Sequence, residues 1–303
     1  MFTTIIVGVD ARPGGRDALA LAAQLGGTFG SRLVAVHAYP YDYFVSRGSN
    51  ADFEAVMESA ARETLDTELE GADVTADAIA AADDSPGRAL QRIAKREHGD
   101  LIVVGSAHRG PIGRVFAGDV TAGTLHGAPC PVLVAPRGYA EHARELKTIG
   151  VGFDGSPESR AAVDLAHAIA EAAGARVRVV GVVAAPEPGN PFEGYHPDWD
   201  EHVRVKRVEA QERLQAVLAE LGDIATGDVI FGEPARELAY AAKQLDMLII
   251  GSRGYGPVRR LMLGSTSSKV VHEAACPVLV ITRGAHVTDE DLEEVLTAAE
   301  SSS

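Results

Sequence analysis

Ile5-Ile6-Val7-Gly8-Val9-Asp10 decides the fold, because the same pattern returns 144 residues on as Ile149-Gly150-Val151-Gly152-Phe153-Asp154. Two more segments return in the same order, each displaced by 146 residues. Leu101-Ile102-Val103-Val104-Gly105-Ser106 reappears as Met247-Leu248-Ile249-Ile250-Gly251-Ser252, and Cys130-Pro131-Val132-Leu133-Val134 as Cys276-Pro277-Val278-Leu279-Val280. Copies of this length are too long for solenoid units and suit two whole domains in a chain of 303 residues. The expected division is 1–137 and 148–283, with a linker at 138–147 and an acidic tail at 284–303.

Within each copy, short apolar runs alternate with stretches of helical periodicity, the pattern of βαβ units around a parallel sheet covered on both faces. The fold class is therefore α/β. The second copy predicts a strand ending at Asp154, a helix from Pro157 to Ala173 with Pro at its first turn and Gly174 as its stop, and a strand over Val177–Val183. A long loop follows, then an amphipathic helix near Asp200–Leu221, a strand at Asp228–Phe231 and a helix over Pro234–Leu245. Strand Met247–Ile250, a glycine-rich loop, a helix near Ser265–Ala275 and strand Pro277–Ile281 complete it. The tail opened by Thr288-Asp289-Glu290-Asp291 reads as a solvated helix ending in serines.

The composition narrows the function. Lys and Arg number 28 against 43 Asp and Glu, a net charge of −15, which argues against broad binding to nucleic acid or anionic membranes. No apolar run approaches the roughly 18 residues of a membrane span, and Met1–Thr4 leads into the first strand without a basic leader, so a cytoplasmic protein is expected. Two cysteines without CxxC spacing support neither a disulfide framework nor a zinc site.

The segment richest in chemistry is Gly251-Ser252-Arg253-Gly254, nine intervening residues, then Gly264-Ser265-Thr266-Ser267 opening a helix. It leaves the carboxyl end of a strand, where ligands gather in open α/β sheets. Glycines admit close approach of a phosphate, and the N–H groups at a helix start favour an anion. From Gly251 to His272 the chain carries Arg253, Arg259, Arg260 and Lys269 and no acidic residue. The plainer alternative is a set of turn glycines, with Ser265 as an ordinary N-cap. Asp154, at the end of a neighbouring strand, has a carboxylate suited to an adenine amino group or a ribose hydroxyl, or else to capping the helix that begins at Pro157.

Together these residues make both copies resemble universal stress protein domains, over about Phe2–Arg137 and Leu146–Arg283. ATP-binding members carry Gly-x2-Gly-x9-Gly-Ser/Thr, matched here by Gly251, Gly254, Gly264 and Ser265. The resemblance implies two tandem open sandwiches, each with a five-stranded mainly parallel sheet, and ATP in the crevice of the second. Asp154 would contact the nucleoside and Val182 the adenine; Ile250 precedes the loop, and Ser265, Thr266 and Ser267 would contact phosphate. It also implies pairing through the last strands, Pro131–Val134 against Pro277–Ile281, as an intramolecular pseudo-dimer, with a homodimer as a further arrangement.

The first copy departs from the motif. His108 stands at the second glycine position, and Gly118 is followed by Asp119 where a hydroxyl belongs. A carboxylate beside phosphate costs on the order of 1 kcal/mol or more without a cation between them. His108, with Arg109 and Arg114 nearby, offers a weakened or magnesium-dependent site; a degenerate structural copy is the alternative. Asp10, Ala38 and Gly105 would be the corresponding nucleoside-side and loop residues.

The weaker candidates read as structural. His196, Asp198, Asp200, Glu201 and His202 around Trp199 match no ordered ligand set. Cys130 and Cys276 suit small buried positions, and His37 and His167 the core or its boundary. Gly-x4-Gly-Lys-Ser/Thr, GxSxG and HExxH are absent from the sequence, as is the Ser-Gly-Gly-x-Asp-Ser loop of ATP pyrophosphatases. Gly150-Val151-Gly152-Phe153-Asp154-Gly155 spells GxGxxG by chance, its first two glycines falling inside the strand. The expected function is an ATP-binding stress regulator or scaffold, with Mg2+ as candidate counter-ion, and not an enzyme. A nucleotide-independent interaction module, and slow ATP hydrolysis or autophosphorylation, are the alternatives.

Overall fold

The computed structural model describes residues 1–40, 51–106, 115, 118–184, 199–252 and 264–281. The first half runs β1 (Thr4–Gly8), α1 (Pro13–Phe29), β2 (Arg32–Tyr39), α2 (Ala51–Ala72), β3 (Asp77–Ala82), α3 (Pro86–Arg96), β4 (Leu101–Gly105), α4 (Asp119–Leu125) and β5 (Val132–Ala135). The second repeats it as β6 (Thr148–Phe153), α5 (Pro157–Ala173), β7 (Arg176–Ala184), α6 (Trp199–Leu221), β8 (Ala225–Gly232), α7 (Pro234–Ala241), β9 (Met247–Gly251), α8 (Ser265–Glu273) and β10 (Val278–Ile281).

Each half is an α/β sandwich on five parallel strands, ordered β3-β2-β1-β4-β5 and β10-β9-β6-β7-β8. The apolar runs are nearly continuous because a parallel sheet covered by helices buries both faces. Successive residues still part company: Ile5 and Val7 join the core under α1 and α2, whereas Ile6 joins the core under α3. The halves meet where β10 runs antiparallel to β5, with Leu279 opposite Leu133, so all ten strands form one sheet. Each core layer crosses that seam, since Leu133 and Leu279 lie in one and Val134 and Val280 in the other.

Helix α5 begins at Pro157 and closes at Gly174 with φ +65°, as its punctuation predicts. Strand β8 starts three residues before the expected Asp228, because pairing along β7 outweighs the low strand propensity of Ala225, Thr226 and Gly227. The helix expected to reach Leu245 ends at Ala241, and a 3₁₀ turn over Ala242–Gln244 lets Leu245 swing under Gly150. The start of the segment 138–147 lies docked on α1: Asp17, 2% exposed, accepts from the backbone N–H of Gly138 and Ala140, and the Tyr139 hydroxyl donates to Gln24 at 2.6 Å. The acidic tail lies outside the described residues.

Among the described residues no helix is long and apolar enough to cross a membrane, and no group of three or more His, Cys, Asp or Glu is placed to hold a metal. His196 and Asp198 lie outside those residues. Cys130 and Cys276 are buried and free; burial pushes the Cys130 thiol up to about 12 and raises that of Cys276. His37 is half-buried against the carbonyl of Val9 at 2.9 Å, and His167 sits at the boundary of α5 near Glu171.

Candidate functional site

Three strand ends and one helix start converge in the second half. Past the end of β6, one oxygen of the Asp154 carboxylate accepts from the Ser156 N–H at 3.0 Å and from the Ser156 hydroxyl at 2.5 Å. Ser156, not Asp154, caps α5, accepting from the N–H of Ser159 at 3.2 Å. The capping alternative for Asp154 is thereby removed. Its side chain holds a tight turn over Gly155 and stands exposed at the carboxyl edge of the sheet.

Helix α8 begins differently. Its N-cap is Gly264, which has no side chain to give, and the first helical bond runs from Ser268 N–H to the Gly264 carbonyl at 2.9 Å. The N–H groups of Ser265, Thr266 and Ser267 therefore have no partner within the helix. Ser265 is the first helical residue and not the cap. Uncapped donors at the positive end of a helix dipole form a concavity suited to an anion.

These pieces share one cavity of about 100 Å³, lined by Asp154, Val182, Ile250, Gly251, Gly264, Ser265, Thr266 and Ser267 among others. Every described candidate of the second half thus lies on one wall system. Arg253 and Gly254 lie outside the described residues, as do Arg259 and Arg260.

Two expectations change. The Ser267 hydroxyl, in a side chain 5% exposed, donates to the Gly251 carbonyl at 3.0 Å, so its one hydroxyl proton serves the framework. Its backbone N–H, like those of Ser265 and Thr266, belongs to the first turn of the helix that lines the cavity. Lys269, counted in the basic window, sits 2.8 Å from the Glu233 carboxylate, which offsets its charge.

Three further residues of the crevice are structural finds. Glu158 packs so closely that a Cβ on Gly251 would sit 2.9 Å from its own Cβ, and it lines the cavity with Ser156. Ser252, 1% exposed, donates its hydroxyl to Ile281 at 2.8 Å and anchors the start of the loop to β10. A Glu at the second position of a helix reads in sequence as a dipole partner, so nothing in the chain marked Glu158 for the crevice.

The first half builds the same frame with other contents. Thr121 donates to Gly105 at 2.9 Å and Ser106 to Ala135 at 2.6 Å. Asp10 accepts from the Arg12 N–H at 3.2 Å, and Ala38 packs on the core at the end of β2. Gly118 is the N-cap of α4 and Asp119 its first residue, so this helix carries its own carboxylate where α8 carries a hydroxyl. His108, Arg109 and Arg114 lie outside the described residues.

A family model described as the universal stress protein family matches residues 1–136 and 145–282. A universal stress protein of Mycolicibacterium smegmatis is 33% identical over 183 residues, 60% of this chain and 61% of that protein. The match thus spans less than two thirds of that relative's length. A Thermus aquaticus universal stress protein is 38% identical over 140 residues, covering 45% of this chain and 98% of its own. In fold, a universal stress protein of Pseudomonas aeruginosa UCBPP-PA14 superposes with a TM-score of 0.66 at 19% identity, over 93% of this chain and 94% of that one.

Proposed function

The chain belongs to the universal stress protein family, and from that premise we propose that it is an ATP-binding stress regulator or scaffold whose nucleotide sits mainly in the crevice of the second half. One observation carries this reading: the uncapped start of α8 shares a single cavity with Asp154 and the end of β7. Phosphates would lie against the N–H groups of Ser265, Thr266 and Ser267, the ribose by Asp154, and the adenine against Val182 and Val180. No cluster of protein ligands for a metal exists among the described residues, so Mg2+ would enter as the counter-ion of the triphosphate.

The output is structural. Ligand bound only to the folded state stabilises it, by about 2.7 kcal/mol at a concentration one hundred times Kd. The seam of β5 with β10 makes the two halves an intramolecular pair through which an ordered loop in one can bear on the other. In the first half, Asp119 at the start of α4 opposes a phosphate.

Calorimetric titration of nucleotide-stripped protein with Mg-ATP tests the reading. The expected stoichiometry is one per chain, with Ser265→Asp, which copies the first half, weakening binding tenfold or more. No heat in folded protein would overturn it and favour the interaction module.

A further inference from the structure

A second, larger cavity of about 360 Å³ opens on the other side of Asp154, between the end of β7 and α6. Its floor is apolar, formed by Phe153, Val182, Val183 and Val203, and two cations, Lys206 and Arg213, stand on its α6 wall. Phe153, Asp154 and Val182 line both cavities, so the two chambers share a wall.

The cations are seven residues apart, two helical turns or about 10.5 Å along one face of α6. Arg213 lies over the turn that Asp154 begins: a Cβ on Gly155, at φ +83°, would sit 3.0 Å from its Cδ and 3.5 Å from its Nε. Glycine at this turn therefore both adopts the left-handed backbone and gives the guanidinium its place.

The first half lacks the arrangement. With the buried Leu65 of α2 aligned on the buried Leu214 of α6, Met57 falls at Lys206 and Thr64 at Arg213. Ala11 takes the place of Gly155. Ala61 is buried where Ala210 is half-buried.

We propose that the nucleotide site of the second half has two chambers, and that the cavity under α6 receives a second anionic group carried by the same ligand, a phosphate on its ribose, held by Lys206 and Arg213. This rests on the nucleotide reading above. A ribose beside Asp154 would stand at the residues common to both cavities, within reach of the second for a substituent on its hydroxyl. Among the residues lining the cavity two cations face one carboxylate, Asp154, and the ties of Arg213 to Glu209, a 3.2 Å hydrogen bond from Nε to its carbonyl and a 3.6 Å ion pair with its carboxylate, lie on an exposed face where such contacts are weak enough to exchange. Charge-assisted contacts to phosphate are short, strong and screened by salt.

The test measures displacement of bound ATP from the whole chain by AMP and by adenosine 3′,5′- and 2′,5′-bisphosphate, at low and high salt. At least one bisphosphate should compete about tenfold more strongly than AMP at low salt, and less so at high salt. The double variant Lys206→Ala, Arg213→Ala should lose that advantage and keep its AMP affinity; both side chains are exposed, so the variant folds. Bisphosphates no stronger than AMP, or an advantage that survives in the double variant, would overturn the second chamber while ATP binding stands. Absence of ATP binding in the first place would overturn both readings.

Discussion

The hydroxyl of Ser267 donates to the carbonyl of Gly251 at 3.0 Å, and 146 residues earlier Thr121 does the same to Gly105 at 2.9 Å. Each bond ties the start of a helix to the end of the strand before it, across a loop. The two ends of each glycine-rich loop are thereby fixed by the framework.

Loss of that tie should be felt as stability. Ser267→Ala leaves the Gly251 carbonyl without its partner and should cost about 1 kcal/mol, whereas Ser267→Thr should cost less, because Thr121 performs the same task. Urea denaturation of the three proteins checks this ordering.

Gly105 admits no side chain. A Cβ there would overlap the carbonyl oxygen of Gly14, whereas at Gly251 it would meet the Glu158 Cβ at 2.9 Å. Gly105→Ala should therefore destabilise by about 1–3 kcal/mol and more than Gly251→Ala does. Thermal unfolding of the two variants measures the difference.

Asp17 holds the connection between the halves. Asp17→Ala strips the acceptor from the N–H groups of Gly138 and Ala140, and limited trypsin digestion should then cut faster at Arg144. Burial raises the Asp17 carboxyl above its ordinary value, against the pull of those two N–H donors. The folded state thus binds the proton more readily than the unfolded one. Its contribution to stability is fully present below the ordinary carboxylate range and declines as pH rises through the raised value. That decline should be absent from Asp17→Asn.

The cysteines should be silent. With the Cys130 thiol pushed up to about 12 and the Cys276 thiol raised, both behind packed strands, alkylation at pH 8 should be undetectable in the native protein and rapid in denaturant. Labelling followed by mass spectrometry reads this directly, and rapid native labelling of either residue would contradict the burial.

The duplication, the βαβ order and the α5 boundaries were legible because they rest on local signals: apolar runs, Pro157 at a helix start and Gly174 at its end. So was the gathering of Asp154, Val182, Gly251 and Ser265 at one edge, because in a parallel sheet all strand ends point the same way. Ser267 was read as a phosphate donor because sequence shows that a hydroxyl exists and not which acceptor lies nearest. Lys269 was counted as free charge because Glu233, 36 residues away, becomes its partner only on folding.

By itself the sequence determined the architecture: two copies, two α/β units, and a loop chemistry intact in the second and altered in the first. Periodicity and turn residues act over a few positions, and the chain carries them whole. Only the tertiary structure decided that the helix before which Gly264 stands has no side-chain cap, that Glu158 enters the crevice, that Asp17 holds Gly138 and Ala140, and that Lys206 and Arg213 face a cavity beside Asp154. Those are relations between residues distant in the chain, set by how helices pack across a sheet, and no local pattern encodes the distance between two side chains.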